Sequence, residues 1–166
     1  LFLSIKEQVC LSRGMKYADV KTYLNNEIDC TYSPTLLGVD KLREAAKKIM
    51  SAVSFDQPAF VIVDSDCDGF TSAALLINYL YCAFPSWVSR RLTYGFHQGK
   101  AHGIDEFVDE LENSDIKLLL VPDAGSNDND SINRLHSKMD IIILDHHIIE
   151  GGSSNTNATI INSQYS

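Results

Sequence analysis

The segment Asp64-Ser65-Asp66-Cys67-Asp68-Gly69 carries three carboxyl groups within five residues. Acidic chemistry recurs further along as Asp123-Ala124-Gly125-Ser126 and as Asp145-His146-His147. Oxygen-rich sets with one or two imidazoles suit hard or borderline divalent cations such as Mn²⁺ and Mg²⁺. Carboxylates this close repel one another and call for a counter-ion. The residue types therefore predict metal-assisted phosphoryl chemistry, in which a carboxylate such as Asp123 can bridge two ions.

To act together, the three sites must meet in space. Each follows a short apolar run: AFVIV (59–63), LLLVP (118–122) and IIIL (141–144). Such runs read as buried strands of a parallel sheet. The carboxyl ends of parallel strands share one edge, where open α/β folds place their ligands. From Phe55 onward strands alternate with helices, which implies right-handed crossovers. The expected fold class is α/β, with a mostly parallel sheet flanked by helices and a helical amino-terminal lead-in. The expected boundaries are 1–54 for the lead-in and 55–166 for the catalytic lobe. Helices are expected over 40–50, 69–83, 104–112 and 127–137, and further strands over VSRRLTY (88–94) and ATIIN (158–162). The order of the strands is not readable.

Asp64-x-Asp66-x-Asp68-Gly69 also fits the opening of an EF-hand calcium loop, but the twelfth position is Leu75 rather than Glu and a strand precedes it. In a strand–loop–helix arrangement, alternation would send residues 64, 66 and 68 to one side. Gly69 would then permit a tight turn into a helix start. Gly125 is expected to lend a backbone N–H, and Ser126 a hydroxyl, to a phosphate. Ser126 or Asn127 also suits the cap of the following helix. Asp145 is expected to orient the ring of His146. Arg90, Arg91, His97, Lys100 and His102 form the densest basic stretch. Of these, Arg90, Lys100 and His102 are candidate substrate contacts, the last two on a glycine-flanked loop over the metal edge. Trp87, Tyr94 and Phe96 offer rings on which bases could stack, although one strand face is the commoner fate.

With 166 residues and 45% hydrophobic content, the chain suits one globular domain. No apolar run approaches the roughly 20 residues that span a bilayer, and the opening lacks the basic region of a signal peptide. Cys10, Cys30, Cys67 and Cys82 show no CxxC spacing, so reduced thiols and a cytoplasmic location are expected. The net charge of −8 excludes a broad basic field. It does not exclude nucleic acid, because bound divalent cations reverse the local sign.

Together the three acidic segments resemble motifs I, II and III of the DHH phosphoesterases, named for Asp-His-His, and within them the RecJ-like branch. The likeness extends to Leu11-Ser12-Arg13-Gly14-Met15, to Leu37-Gly38-Val39-Asp40-Lys41, to the 68–76 segment and to Ala158–Gln164, where Ser163 stands in place of the usual proline. It implies Asp66 and Asp68 as metal ligands, with Asp64 ligating or supporting. It further implies Asp123 bridging two Mn²⁺ or Mg²⁺ ions, His146 as the imidazole ligand and His147 at the scissile phosphate. The implied substrate is single-stranded DNA or a short oligonucleotide, cut from the 5′ end to 5′-mononucleotides. The family pattern also implies a further aspartate ligand and a carboxy-terminal domain beyond Ser166, without which the chain would be a poor nuclease. One rival is a DHH phosphodiesterase acting on short oligonucleotides or cyclic dinucleotides. Ile62, where those relatives often have histidine, leans toward the RecJ side. The others are a non-catalytic DHH-like replication scaffold and a metal-free, acidic protein-binding domain.

Overall fold

The computed structural model describes residues 3–24, 37–97, 102–150 and 155–165. The chain divides into two compact units, residues 1–34 and 35–166. In the first, helices α1 (Ile5–Ser12) and α2 (Tyr17–Leu24) pack together. A capping box starts α1: the Ser4 hydroxyl accepts from the Glu7 N–H, and the Glu7 carboxylate accepts from the Ser4 N–H at 2.6 Å. The proposed boundary at residue 54 falls inside the second unit, because α3 (Val39–Ser54) lies against the sheet.

Five strands build that sheet: β1 (Ala59–Val63), β2 (Leu92–Phe96), β3 (Leu118–Pro122), β4 (Asp140–Asp145) and β5 (Thr159–Asn162). All pair in parallel, in the order β2-β1-β3-β4-β5. β1 and β3 are buried at every residue, as two-faced coverage requires. One face carries α3, α4 (Cys67–Ala83) and α5 (Pro85–Arg91), with Ala45, Val61, Leu80, Trp87 and Leu120 in its core. The other is covered by α6 (Val108–Glu112) and α7 (Asn129–Leu135), around Ile62, Leu119, Ile132 and Ile143. After β2 the chain crosses over β1 to lay down β3, so the strand order reverses between β1 and β3. A crevice opens at the carboxyl ends of strands at such a switch point. Among the described residues, no helix is long and apolar enough to cross a membrane.

Two sequence expectations are corrected. Residues 88–91 belong to α5, and strand β2 starts only at Leu92. Pro85 sits in the first turn of α5, where its fixed φ favours a helix and its missing N–H is not needed. Helix α4 begins at Cys67, two residues before the expected start, because the Asp66 carboxylate caps it by accepting from the Gly69 N–H at 2.9 Å. Asp68 therefore lies in the first helical turn, and strand alternation does not set its direction.

This early start presses the helix onto the strand exit. A Cβ at position 69 would lie 2.5 Å from Asp64 Cβ and 2.8 Å from the Asp64 carbonyl oxygen. Alanine is the better helix former by about 1 kcal/mol, yet the clash is with backbone. Gly69→Ala should therefore destabilise the fold by about 1–3 kcal/mol, measured by urea unfolding; an unchanged or raised midpoint would refute the close approach.

Candidate metal centre

Asp123 stands just past the end of β3, at the switch point. Its φ of +84° is rare for a residue with a side chain and stores strain of order 1–3 kcal/mol. Its N–H donates to the Leu144 carbonyl at 2.6 Å, tying the β3 exit to β4. The side chain is 8% exposed, with Oδ1 3.2 Å from His146 Nε2. Its Oδ2 is buried without a hydrogen-bond partner. Burial pushes this carboxyl up, Asp68 and Asp66 push it further, and His146 and His147 oppose them. A buried, partnerless carboxylate oxygen beside other acids has the character of a cation ligand.

Two sets of side chains converge there. The ligand atoms of Asp68, Asp123 and His146 lie within 4.8 Å of one another, and so do those of Asp64, Asp66 and Asp123. Asp123 is common to both. Asp68 comes from the first turn of α4, with Oδ2 3.8 Å from His146 Nε2. Asp66 keeps one oxygen on the Gly69 N–H, which chiefly holds its carboxyl below the ordinary range. Asp64, 1% exposed, accepts from the Ser65 N–H, and His102 Nδ1 lies 2.8 Å from both its oxygens. The donor set fits hard divalent cations: four carboxylates and one imidazole, with a buried oxygen open.

The structure corrects the role read for Asp145. Its Oδ1 accepts from the backbone N–H groups of His146 (2.6 Å) and His147 (3.0 Å) and lies 2.8 Å from His147 Nδ1. It therefore orients the ring of His147, not that of His146, because the N–H groups of the next two residues fold the chain back over it. Oδ2 accepts from the Ser126 N–H at 3.0 Å. Burial would raise the Asp145 carboxyl, but these donors together bring it down to about 2. The same contact raises His147.

Ser126 and Asn127 are also reassigned. Ser126 is 2% exposed and accepts through its hydroxyl from Asn162 Nδ2 at 2.9 Å, which braces the cavity wall that it helps to line. Asn127 bonds the Ile148 carbonyl and the Glu150 N–H, and neither residue caps α7. Gly125 adopts φ +99° and lines the cavity beside His147. Arg90 is far from this edge: it pairs with Asp56 at 3.1 Å, before β1 and therefore at the sheet's opposite end, as Arg91 does. Lys100 lies outside the described residues. Trp87 is buried, donating to the Gln57 carbonyl at 3.0 Å. Tyr94 and Phe96 are half-exposed, and Phe96 stacks on Phe70. Sequence reasoning missed Asn162, which also donates to the His147 carbonyl at 3.1 Å. Its signal was a polar residue closing an apolar strand, as at Asp145.

Asp145 sets a pH prediction. Its carboxyl is depressed from 3.8 to about 2, so its contribution to stability is complete above the unfolded value. That contribution disappears as the pH falls from about 4 to about 2. In EDTA at pH 7, Asp145→Asn should be less stable than wild type by roughly 2 kcal/mol. Denaturant titrations should show the gap closing across that window; a gap constant with pH would refute the assignment.

Residues 58–166 match the family described as DHH family, N-terminal domain. The chain is 32% identical over 157 residues to "Putative SPbeta prophage-derived single-strand DNA-specific exonuclease YorK" of Bacillus subtilis (strain 168), covering 93% of this chain and 25% of that protein. The same figures hold for "Putative single-strand DNA-specific exonuclease yorK" of Bacillus phage SPbeta. The chain thus spans about a quarter of the length of these relatives. Among solved structures, the DHH domain of a protein assigned to a ribosomal-protein family superposes with a TM-score of 0.55 at 18% identity, covering 89% of this chain and 42% of that one. That likeness supports the fold alone. With the family match extending from β1 through all three acidic segments, this chain belongs to the DHH family of metal-dependent phosphoesterases.

Proposed function

We propose that this chain is the catalytic lobe of a RecJ-like nuclease that hydrolyses single-stranded DNA from its 5′ end to 5′-mononucleotides. The observation that carries the hydrolytic reading is the meeting of two ligand sets on Asp123. Single-stranded DNA as substrate is supported by the names of the two 32% identical relatives. The polarity rests on the RecJ-like motifs.

Asp68, Asp123 and His146 would hold one Mn²⁺ or Mg²⁺ ion, and Asp64, Asp66 and Asp123 a second. Bound there, such ions neutralise phosphate charge and acidify a water for in-line attack. The chain's own groups supply the positioning. Asp123 serves both sets, so its rigid, strained backbone fixes their spacing. His147 engages Asp145 through Nδ1, and that contact favours the charged imidazolium. It is thereby suited to donate to a phosphate oxygen as negative charge develops. His102 and His147 line the same cavity of about 420 Å³, between the 102–103 turn and the motif II and III segments. That volume lies within the range of small-ligand sites and would seat a nucleotide next to the carboxylates.

Calorimetry and end-labelled DNA test this reading. The 166-residue chain should bind Mn²⁺ but cleave poorly by itself, while the complete protein should release nucleotides from single strands, with EDTA abolishing release. Asp123→Ala should remove metal binding and activity together. His147→Ala should leave Mn²⁺ affinity within about twofold while lowering turnover roughly 10²-fold. Equal loss of metal affinity in both variants would contradict the division of roles, and absence of Mn²⁺ binding in wild type would end the proposal.

A further inference from the structure

We propose that Asp128 is a positioning residue of the metal centre, clamping the turn at Gly103 so that His102 closes on Asp64. The inference rests on the metal-dependent reading above and deepens it. Asp128 occupies the N-cap position of α7, where an aspartate ordinarily accepts from the helix's own first-turn N–H groups. Its side chain makes no capping bond. Instead Oδ2 accepts from the Ile104 N–H at 2.6 Å, 24 residues away in sequence. The local role has given way to a long-range one.

The turn it holds is built to be held. Gly103 adopts φ +81°, a backbone conformation that side chains disfavour, and a Cβ there would meet the Asp128 carboxyl group, 2.9 Å from its Cγ. On the far side, Ile104 is fully buried in the core between α6, α7 and the sheet. Asp128 and Ile104 thus pin the turn at two points. The next residue back, His102, has a half-exposed side chain whose Nδ1 lies 2.8 Å from both oxygens of Asp64. Asp64 in turn belongs to the second ligand set, with Asp66 and Asp123. A continuous path runs from Asp128 through the Gly103 turn and His102 to the Asp64 carboxylate. Groups that orient a metal ligand by hydrogen bonding tune affinity about 10–100-fold. Asp128 itself lies outside both ligand sets.

A double-mutant cycle separates positioning from mere loop stability. Mn²⁺ affinity is measured by calorimetry in wild type, Asp128→Ala, Asp128→Asn, His102→Ala and Asp128→Ala/His102→Ala. The ¹⁵N resonances of the His102 ring are followed without metal. Asp128→Ala should weaken Mn²⁺ binding about tenfold and erase the signature of a protonated, hydrogen-bonded His102 Nδ1. Asp128→Asn keeps an acceptor oxygen of the same size and should stay within about twofold of wild type. In the His102→Ala background, Asp128→Ala should cost nothing further. Additive losses, or an unchanged His102 resonance in Asp128→Ala, would overturn the inference. Should Asp128→Ala fail to fold, Gly103→Ala strains the same turn and replaces it in the cycle. If wild type binds no Mn²⁺, the functional reading above fails, while the His102 resonances still decide the clamp.

Discussion

Like-charge crowding around Asp123 is the constraint on which the carboxyl edge of this sheet depends. Its carboxylate is buried, one oxygen is without a hydrogen-bond partner, and Asp66 and Asp68 raise its proton affinity. An arrangement of this kind opposes folding through desolvation and repulsion at once. The protein nevertheless places Asp123 on a left-handed backbone that costs further energy. Strain and unmet charge at one residue, ringed by other ligand types, are the mark of a site organised for something it binds. A divalent cation would meet the electrostatic deficits together, by neutralising the charge and occupying the open oxygen, and so offset the cost of the strained backbone.

Sheet topology explains why Asp123 and motif I meet at all. β1 and β3 are neighbours although β2 lies between them in sequence. The connections leaving β1 and β3 therefore depart to opposite faces, α4 on one and α7 on the other. They part above the strand ends and leave a crevice. Asp64 and Asp123 stand at its two lips, while Asp145 and the histidines arrive from β4, one strand further on. Adjacent strands are about 4.8 Å apart, so side chains from three consecutive exits need little reach to converge. The geometry of the site follows from strand adjacency as much as from the motifs.

Much of this was legible in the sequence because burial leaves a plain record. AFVIV, LLLVP and IIIL are hydrophobic on both faces, which only a covered parallel strand explains, and their acidic exits stood out against them. What stayed hidden depended on competition between local donors. Alternation was a poor guide beyond Val63 because Asp66 captures the Gly69 N–H and starts α4 early. The VSRRLTY segment looked extended by composition, yet Pro85 makes a helix start upstream of it. Arg90 looked like a substrate contact by charge alone, and only the fold shows that Asp56 claims it at the far edge. Strand order, which joins the lips of the crevice, has no local signal whatever.

The aspartates of this edge differ in their donors, and the donors indicate what each can do. Asp145 accepts from three backbone N–H groups and faces an imidazole, so it is held ionised with no oxygen to spare. A carboxylate so occupied organises its neighbours and is a poor candidate for a metal ligand. Asp128 accepts from a distant backbone N–H and is pushed up by burial, again an internal fixture. Asp66 gives one oxygen to Gly69 and keeps the other, the pattern of a ligand held in place by its helix. Asp123 retains a buried oxygen that no protein donor meets. The four share one side-chain chemistry, and they diverge by backbone donors and burial together: three N–H groups meet Asp145, one meets the part-buried Asp128, and one meets the exposed Asp66. An acid whose oxygens are met by the protein or shut in by it serves the fold, whereas an oxygen left unmet at the crevice, as on Asp123, is the one a cation could occupy.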